Sequence, residues 1–140
     1  MMRTTEFGAG VDTSVLVRLV TGCPASLAES AKAFLAEMEV QGAPVFVSNL
    51  VVAEAYFACQ YHYDIPKAEI LSGLHTLLAQ PTFHVREDLL ELLAKPGLDT
   101  AKPGFVDRLI HTEYHRASLP LVTFEKAAAK LPAALILPLA

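Results

Sequence analysis

Gly10-Val11-Asp12-Thr13-Ser14-Val15-Leu16-Val17-Arg18-Leu19 reads as a buried strand that ends at one acid, after which small hydroxyl residues open a helix. Asp12 has apolar neighbours on both sides of the turn. A lone carboxylate there is costly unless it is hydrogen-bonded, paired or bound to a cation. An acid at a helix N-terminus also has an ordinary task, since it caps free N–H groups and meets the positive end of the dipole. Capping alone would account for Asp12, so a functional reading needs partner residues elsewhere in the chain.

Composition bounds where those partners can lie. The 140 residues are 53% apolar, and the mean hydropathy is +0.39. That argues for one folded domain over residues 1–140 with a single substantial core. No run reaches the roughly 18 apolar residues of a membrane span. The stretch from Ala133 to Ala140 is short and contains Pro138. The N-terminal segment carries Arg3 and Glu6 and lacks the apolar centre of a signal peptide, so cytoplasm is the expected location. Cys23 and Cys59 form no metal spacing and are read as reduced thiols. The net charge of −4 is no footprint for binding nucleic acid through bulk charge. A polyanionic substrate would need a local basic patch or a bound metal to offset the acids.

Working outward from the opening strand, Ser26-Leu27-Ala28-Glu29 fits a capping box. Leu27, Ala31, Phe34, Leu35 and Met38 follow at helical spacing, and Gly42 ends that helix. Val45-Phe46-Val47 is a short apolar run suited to a buried parallel strand. A helix from about Leu50 to Tyr61 follows, with Ser48 or Asn49 as its cap. Pro66 suits the first turn of the next, whose apolar face is Ile70, Leu71, Leu74, Leu77 and Leu78. Thr82 to Val85 reads as a third strand and Asp88 to Ala94 as a short helix. Lys95-Pro96-Gly97 and Lys102-Pro103-Gly104 bracket the least structured part of the chain. Phe105 to Arg116 is helical, Leu119 to Phe124 is a strand, Lys126 to Leu131 makes one or two helical turns, and Leu135-Ile136-Leu137 is a last strand.

Strands alternating with helices imply an α/β fold with a parallel sheet covered on both faces. Right-handed crossovers put each strand's C-terminal end and the next helix's N-terminus on one rim, where such sheets bind ligands. That geometry picks out four acids. Asp12 follows strand one, Glu54 lies early in the helix after strand two, Asp107 lies in the first turn of the helix before strand four, and Glu125 follows strand four. Carboxylates converging on a cleft repel one another and invite a divalent cation. Oxygen donors favour Mg²⁺ or Mn²⁺ over zinc. Each acid also has a bland role: Asp107 and Glu125 could complement helix dipoles, and Asp12 could be a cap. Glu54 interrupts an apolar helix and is the hardest of the four to dismiss.

Other candidates carry less. His111 and His115 are one turn apart, a spacing that can bind zinc, but no third ligand is evident, and a partly exposed helix face explains them. His62, His75 and His84 are scattered. Tyr61 and Tyr63 could stack on bases or merely pack. Arg18, Arg108, Arg116 and Lys126 lie near the rim, and Arg on such helices is commonly solvated.

Val11-Asp12-Thr13-Ser14-Val15-Leu16, Ala53-Glu54, Phe105-Val106-Asp107-Arg108-Leu109-Ile110 and Leu119-Pro120-Leu121-Val122-Thr123-Phe124-Glu125-Lys126 occur in this order. Together they resemble a PIN domain, especially the VapC-type toxin of a toxin–antitoxin pair, from Val11 to about Leu137. The resemblance implies a three-layer α/β/α sandwich with a central, mostly parallel sheet of about five strands. It implies a metal-dependent endoribonuclease whose acids at Asp12, Glu54 and Asp107 hold Mg²⁺ or Mn²⁺, with Glu125 completing the shell. Ser14, with Thr13 beside it, and Thr123 match the supporting hydroxyl positions. An RNA substrate, a homodimer and a small antitoxin that blocks the groove are implied partners.

Two departures stand out. Position 125 is Glu where the family usually has Asp, a side chain longer by roughly 1.5 Å. Gly104 stands where many relatives carry an acid, which bears on whether a second metal binds. The rival expectation is a PIN-like module that grips RNA or protein without cleaving. A phosphatase pattern of Asp-x-Asp fails at Asp12-Thr13-Ser14, and a receiver pattern wants paired acids at strand one.

Overall fold

The computed structural model describes residues 7–139. Arg3, Glu6 and the rest of the segment read for a signal peptide lie outside the described residues, as does Ala140. The first ladder is built by the shortest strands the sequence could supply. β1 (Ala9–Gly10), β2 (Val45–Phe46) and β3 (Phe83–His84) pair in parallel in that order. Ala9 pairs with Val45 and Val45 with Phe83, so the ladder is in step across all three strands.

Helices supply most of the core. α1 (Thr13–Thr21) starts at the Asp12 cap and stops at Gly22, whose φ of 69° is the left-handed region that glycine enters without strain. α2 (Ala25–Gln41) buries Ala28, Ala31, Leu35 and Met38 and ends at Gly42 in the same conformation. The capping box expected at Ser26 does not form. The cap lies two residues earlier, at Pro24, whose extended backbone leads into Ala25 with no side-chain cap. α3 (Asn49–His62) is capped by Ser48, whose hydroxyl accepts from Val51 N at 3.2 Å. α4 (Lys67–Leu78) buries Ile70, Leu71, Leu74 and Leu78 along one stripe. α5 (Glu87–Leu93) and α6 (Phe105–Arg116) follow.

The bracketed loop of residues 95–104 is better ordered than its composition suggests. Backbone bonds Leu98 N to Lys95 O, Thr100 N to Gly97 O and Ala101 N to Leu98 O fold it into turns, and Leu98 is buried in the core. Apolar burial of one side chain fixes what Pro and Gly alone would leave open.

β4 (Leu121–Thr123), the 3₁₀ turn Lys126–Lys130 and β5 (Ala134–Ile136) close the chain. β4 and β5 are parallel and in register, Leu121 to Ala134 and Thr123 to Ile136. The class is therefore α/β with parallel strands and packed helices, consistent with an α/β/α sandwich. The five strands, however, form a three-stranded and a separate two-stranded sheet rather than one continuous sheet. The Phe105 ring meets Tyr56 at 5.1 Å, while Glu113 accepts from Asn49 Nδ2 at 3.2 Å. These two contacts run α6 antiparallel to α3, and the β4–β5 ribbon follows it.

Candidate active site

The opening turn of α1 gathers two of the four acids. Asp12 caps the helix with extended backbone, and one carboxylate oxygen accepts from Ser14 Oγ at 2.6 Å and from Val15 N at 3.3 Å. These donors favour the ionised form, so the Asp12 pKa is lowered, first by the Ser14 hydroxyl and then by the Val15 amide. Thr13, the residue between, donates its hydroxyl to Glu54 Oε1 at 2.8 Å. That bond ties α1 to α3 across 41 residues of sequence. Ser14 therefore supports Asp12 and Thr13 supports Glu54. Both carboxylates are exposed.

The other two acids sit together elsewhere. Asp107, in the first turn of α6, and Glu125 line one cavity of about 710 Å³ with Tyr56, Phe57, Tyr61 and Gly104. Glu125 caps the 3₁₀ turn by accepting from Ala127 N at 3.1 Å, and its own N–H donates to Thr123 Oγ1 at 3.0 Å. Asp12 and Ser14 line a different groove of about 580 Å³. The expectation of one rim thus resolves into two pairs, Asp12 with Glu54 and Asp107 with Glu125. Among the described residues, no three His, Cys, Asp or Glu side chains lie close enough to hold a metal ion. The donors are all oxygen, the chemistry of a hard cation.

The remaining candidates take structural places. His111 is buried instead of facing solvent, and its Nε2 lies 2.7 Å from Pro132 O. A carbonyl can only accept, so that nitrogen carries a proton. The His115 ring stacks on it at 5.3 Å. Tyr61 stacks on Phe57, with ring centres 6.1 Å apart, and Tyr63 accepts from Arg18 Nη1 at 3.2 Å. Arg108 Nε donates to Pro103 O, which orients its guanidinium, and Arg116 is paired with Asp88. The sequence placed Arg18 at the rim and Asn49 at a helix start but did not show the burial of their polar atoms: Arg18 Nε and Asn49 Oδ1, with Asp88 Oδ1, are the buried side-chain atoms without a hydrogen-bond partner among the described residues. An Asn immediately after a helix cap was the available signal for Asn49.

No described helix is long and apolar enough to cross a membrane. No curated protein and no solved structure matches the chain. A family model, the PIN domain, matches residues 10–134, which include all four acids. PIN domains are generally nucleases that use divalent metals. The match covers most of the sequence and agrees with the α/β architecture: this chain belongs to the PIN domain family.

Proposed function

We propose that the chain is a metal-dependent endoribonuclease that hydrolyses RNA phosphodiester bonds, acting as the toxin of a type II toxin–antitoxin pair. Asp12, Glu54, Asp107 and Glu125 are its acids, with Ser14, Thr13 and Thr123 in support. The observation that carries this reading is the opening turn of α1, where consecutive hydroxyls each hold one carboxylate. The Ser14 hydroxyl favours the ionised form of Asp12, and Thr13 donates to the Glu54 carboxylate. A hard cation of the Mg²⁺ or Mn²⁺ class supplies an activated water and neutralises phosphate oxygens in such enzymes. It also lets a chain of net charge −4 accept a polyanion.

The test is cleavage of a mixed RNA pool by wild type and by Asp12→Asn, each with Mg²⁺, Mn²⁺ or EDTA. The wild type cleaves with metal and not with EDTA, while Asp12→Asn loses cleavage and keeps its circular dichroism spectrum. Equal cleavage by both proteins would overturn the assignment. The separation of the acids into two pairs favours a second reading, a PIN module that binds RNA or protein without cleaving. Failure of the wild type to bind Mn²⁺ would support that reading. For the toxin role, a small DNA-binding antitoxin encoded beside this chain is the expected partner.

A further inference from the structure

The two ladders leave four outer edges among the described strands, those of β1, β3, β4 and β5, and the edges of β1 and β4 match. β1 bonds only to β2 among the described strands, through Ala9 N to Pro44 O at 3.0 Å and Val11 N to Phe46 O at 3.1 Å. Alternation along a strand then turns the amide and carbonyl of Gly10 to the other side, and Gly10 is exposed. In the ribbon, Thr123 O accepts from Leu137 N at 2.8 Å, which turns the backbone groups of Val122 to the free edge of β4. Parallel sheets are normally covered, and bare edges invite pairing. A two-stranded ribbon alone is marginal in water, yet Val122, Phe124 and Leu135 are 52%, 65% and 55% exposed.

The groove along the open edge of β1 is shaped to receive such a ribbon. It is lined by Gly10, Val11, Asp12, Arg18, Ala31 and Phe34. Gly10 brings no side chain to hinder close approach, Ala31 and Phe34 offer apolar surface, and Arg18 Nε is a buried donor in need of an acceptor. The chain's own ribbon is held elsewhere, tied to α6 by His111 and Pro132.

We infer that two copies of this chain exchange ribbons, the partner's β4 adding in parallel to β1 to form a five-stranded sheet, so that each acid site is shared between subunits. One open β1 edge and one open β4 edge per chain satisfy each other in a closed two-fold dimer. Parallel pairing sets the C-terminal ends of both strands on one rim. Asp12 and Glu54 of one subunit then face Glu125 of the other, with Asp107 from the same cavity beside it. The strand exchange stands on the edges alone, whereas the shared site rests on the nuclease reading of the acids.

Cross-linking tests the exchange. In a Cys23→Ser background, Gly10→Cys and Val122→Cys are made singly and together, and treated with a short bifunctional thiol reagent. Cys59 is buried, and burial pushes its thiol pKa up, which keeps it unreactive. A Cβ at Gly10 would meet nothing closer than Phe46 O at 3.9 Å, so the variant fits. The 1:1 mixture of single variants should give a covalent dimer of twice 15.1 kDa. A double variant cross-linked within one chain, or a 15.1 kDa particle by light scattering with no cross-link, overturns the exchange.

Complementation tests the shared site. Asp12→Asn and Glu125→Gln, each inactive, are mixed and allowed to exchange. Half of the dimers are then mixed, with one intact site of two, so about a quarter of wild-type RNA cleavage should return. No recovery, although the Gly10→Cys and Val122→Cys variants cross-link between chains, overturns the shared site. Cross-linking of those variants together with a wild type that cleaves no RNA removes the nuclease reading and leaves the strand exchange standing.

Discussion

At the scale of single residues, the site is organised by short hydroxyls whose positions decide what each acid does. Ser14 Oγ is the strongest influence on the Asp12 carboxyl and holds its pKa below the ordinary carboxylate value. Ser14→Ala should therefore raise the Asp12 pKa toward that value, read by NMR titration of the carboxyl carbon. An unchanged titration would show that the Val15 amide alone sets it. The sign of the linkage follows. A depressed native pKa contributes stability above the unfolded value, and that contribution fades as pH falls through the native one. Ser14→Ala should thus flatten the acid limb of the stability profile by removing a small contribution at neutral pH, small because Asp12 is exposed, while stability below the native pKa stays unchanged. Asp12 was legible in the sequence because an acid closing an apolar run has few explanations. The partner of Glu54 was not fully legible: Thr13 and Ser14 are both hydroxyls at a helix start, and only α3's approach decides which of them reaches it.

At the scale of elements, boundaries written in side-chain chemistry were readable and packing directions were not. Phe105 to Arg116 begins after Gly104 and ends at Ala117, as its apolar spacing requires. Gly42 stops α2 because the left-handed turn there needs it. By contrast, periodicity says that His111 lies on a helix and says nothing of Pro132, twenty-one residues on. Its burial depends on which surface α6 meets. The same holds for the antiparallel course of α6 along α3, which a bond between Asn49 and Glu113 sets across 64 residues. α4 offers a cleaner test of element physics. Gly73 lies inside that helix, and a Cβ there would touch Val20 Cγ1 at an ordinary 3.8 Å. Gly73→Ala should stabilise the fold by roughly 0.5–1 kcal/mol, through lower unfolded-state entropy and better helix propensity. A melting midpoint raised by a few degrees would bear this out, and a lowered one would show a steric conflict with α1.

At the scale of the whole molecule, the core and the ribbon are unequal partners. Leu16, Val45, Val52, Ile70, Leu74 and Leu89 are fully buried in the helix-covered three-stranded half. The β4–β5 half contributes Ala128 and Leu131 to the buried set and exposes much of its apolar surface. Local opening should follow that imbalance, because few buried contacts mean a small free energy of opening. The His111 hydrogen bond is one of the contacts that hold the ribbon to α6. His111→Ala removes the donor to Pro132 O and the ring that stacks on His115. Losing one such bond costs about 1 kcal/mol, which is roughly a fivefold change in an opening equilibrium. Amide exchange at Leu121–Thr123 and Ala134–Ile136 should therefore accelerate about fivefold or more in the variant. Exchange at Val45 and Phe83 should stay as in the wild type, since their ladder shares no bond with the ribbon. Acceleration of equal size in both sheets would mean that the ribbon opens only with the whole fold. The two sheets would then be one cooperative unit despite their separate ladders.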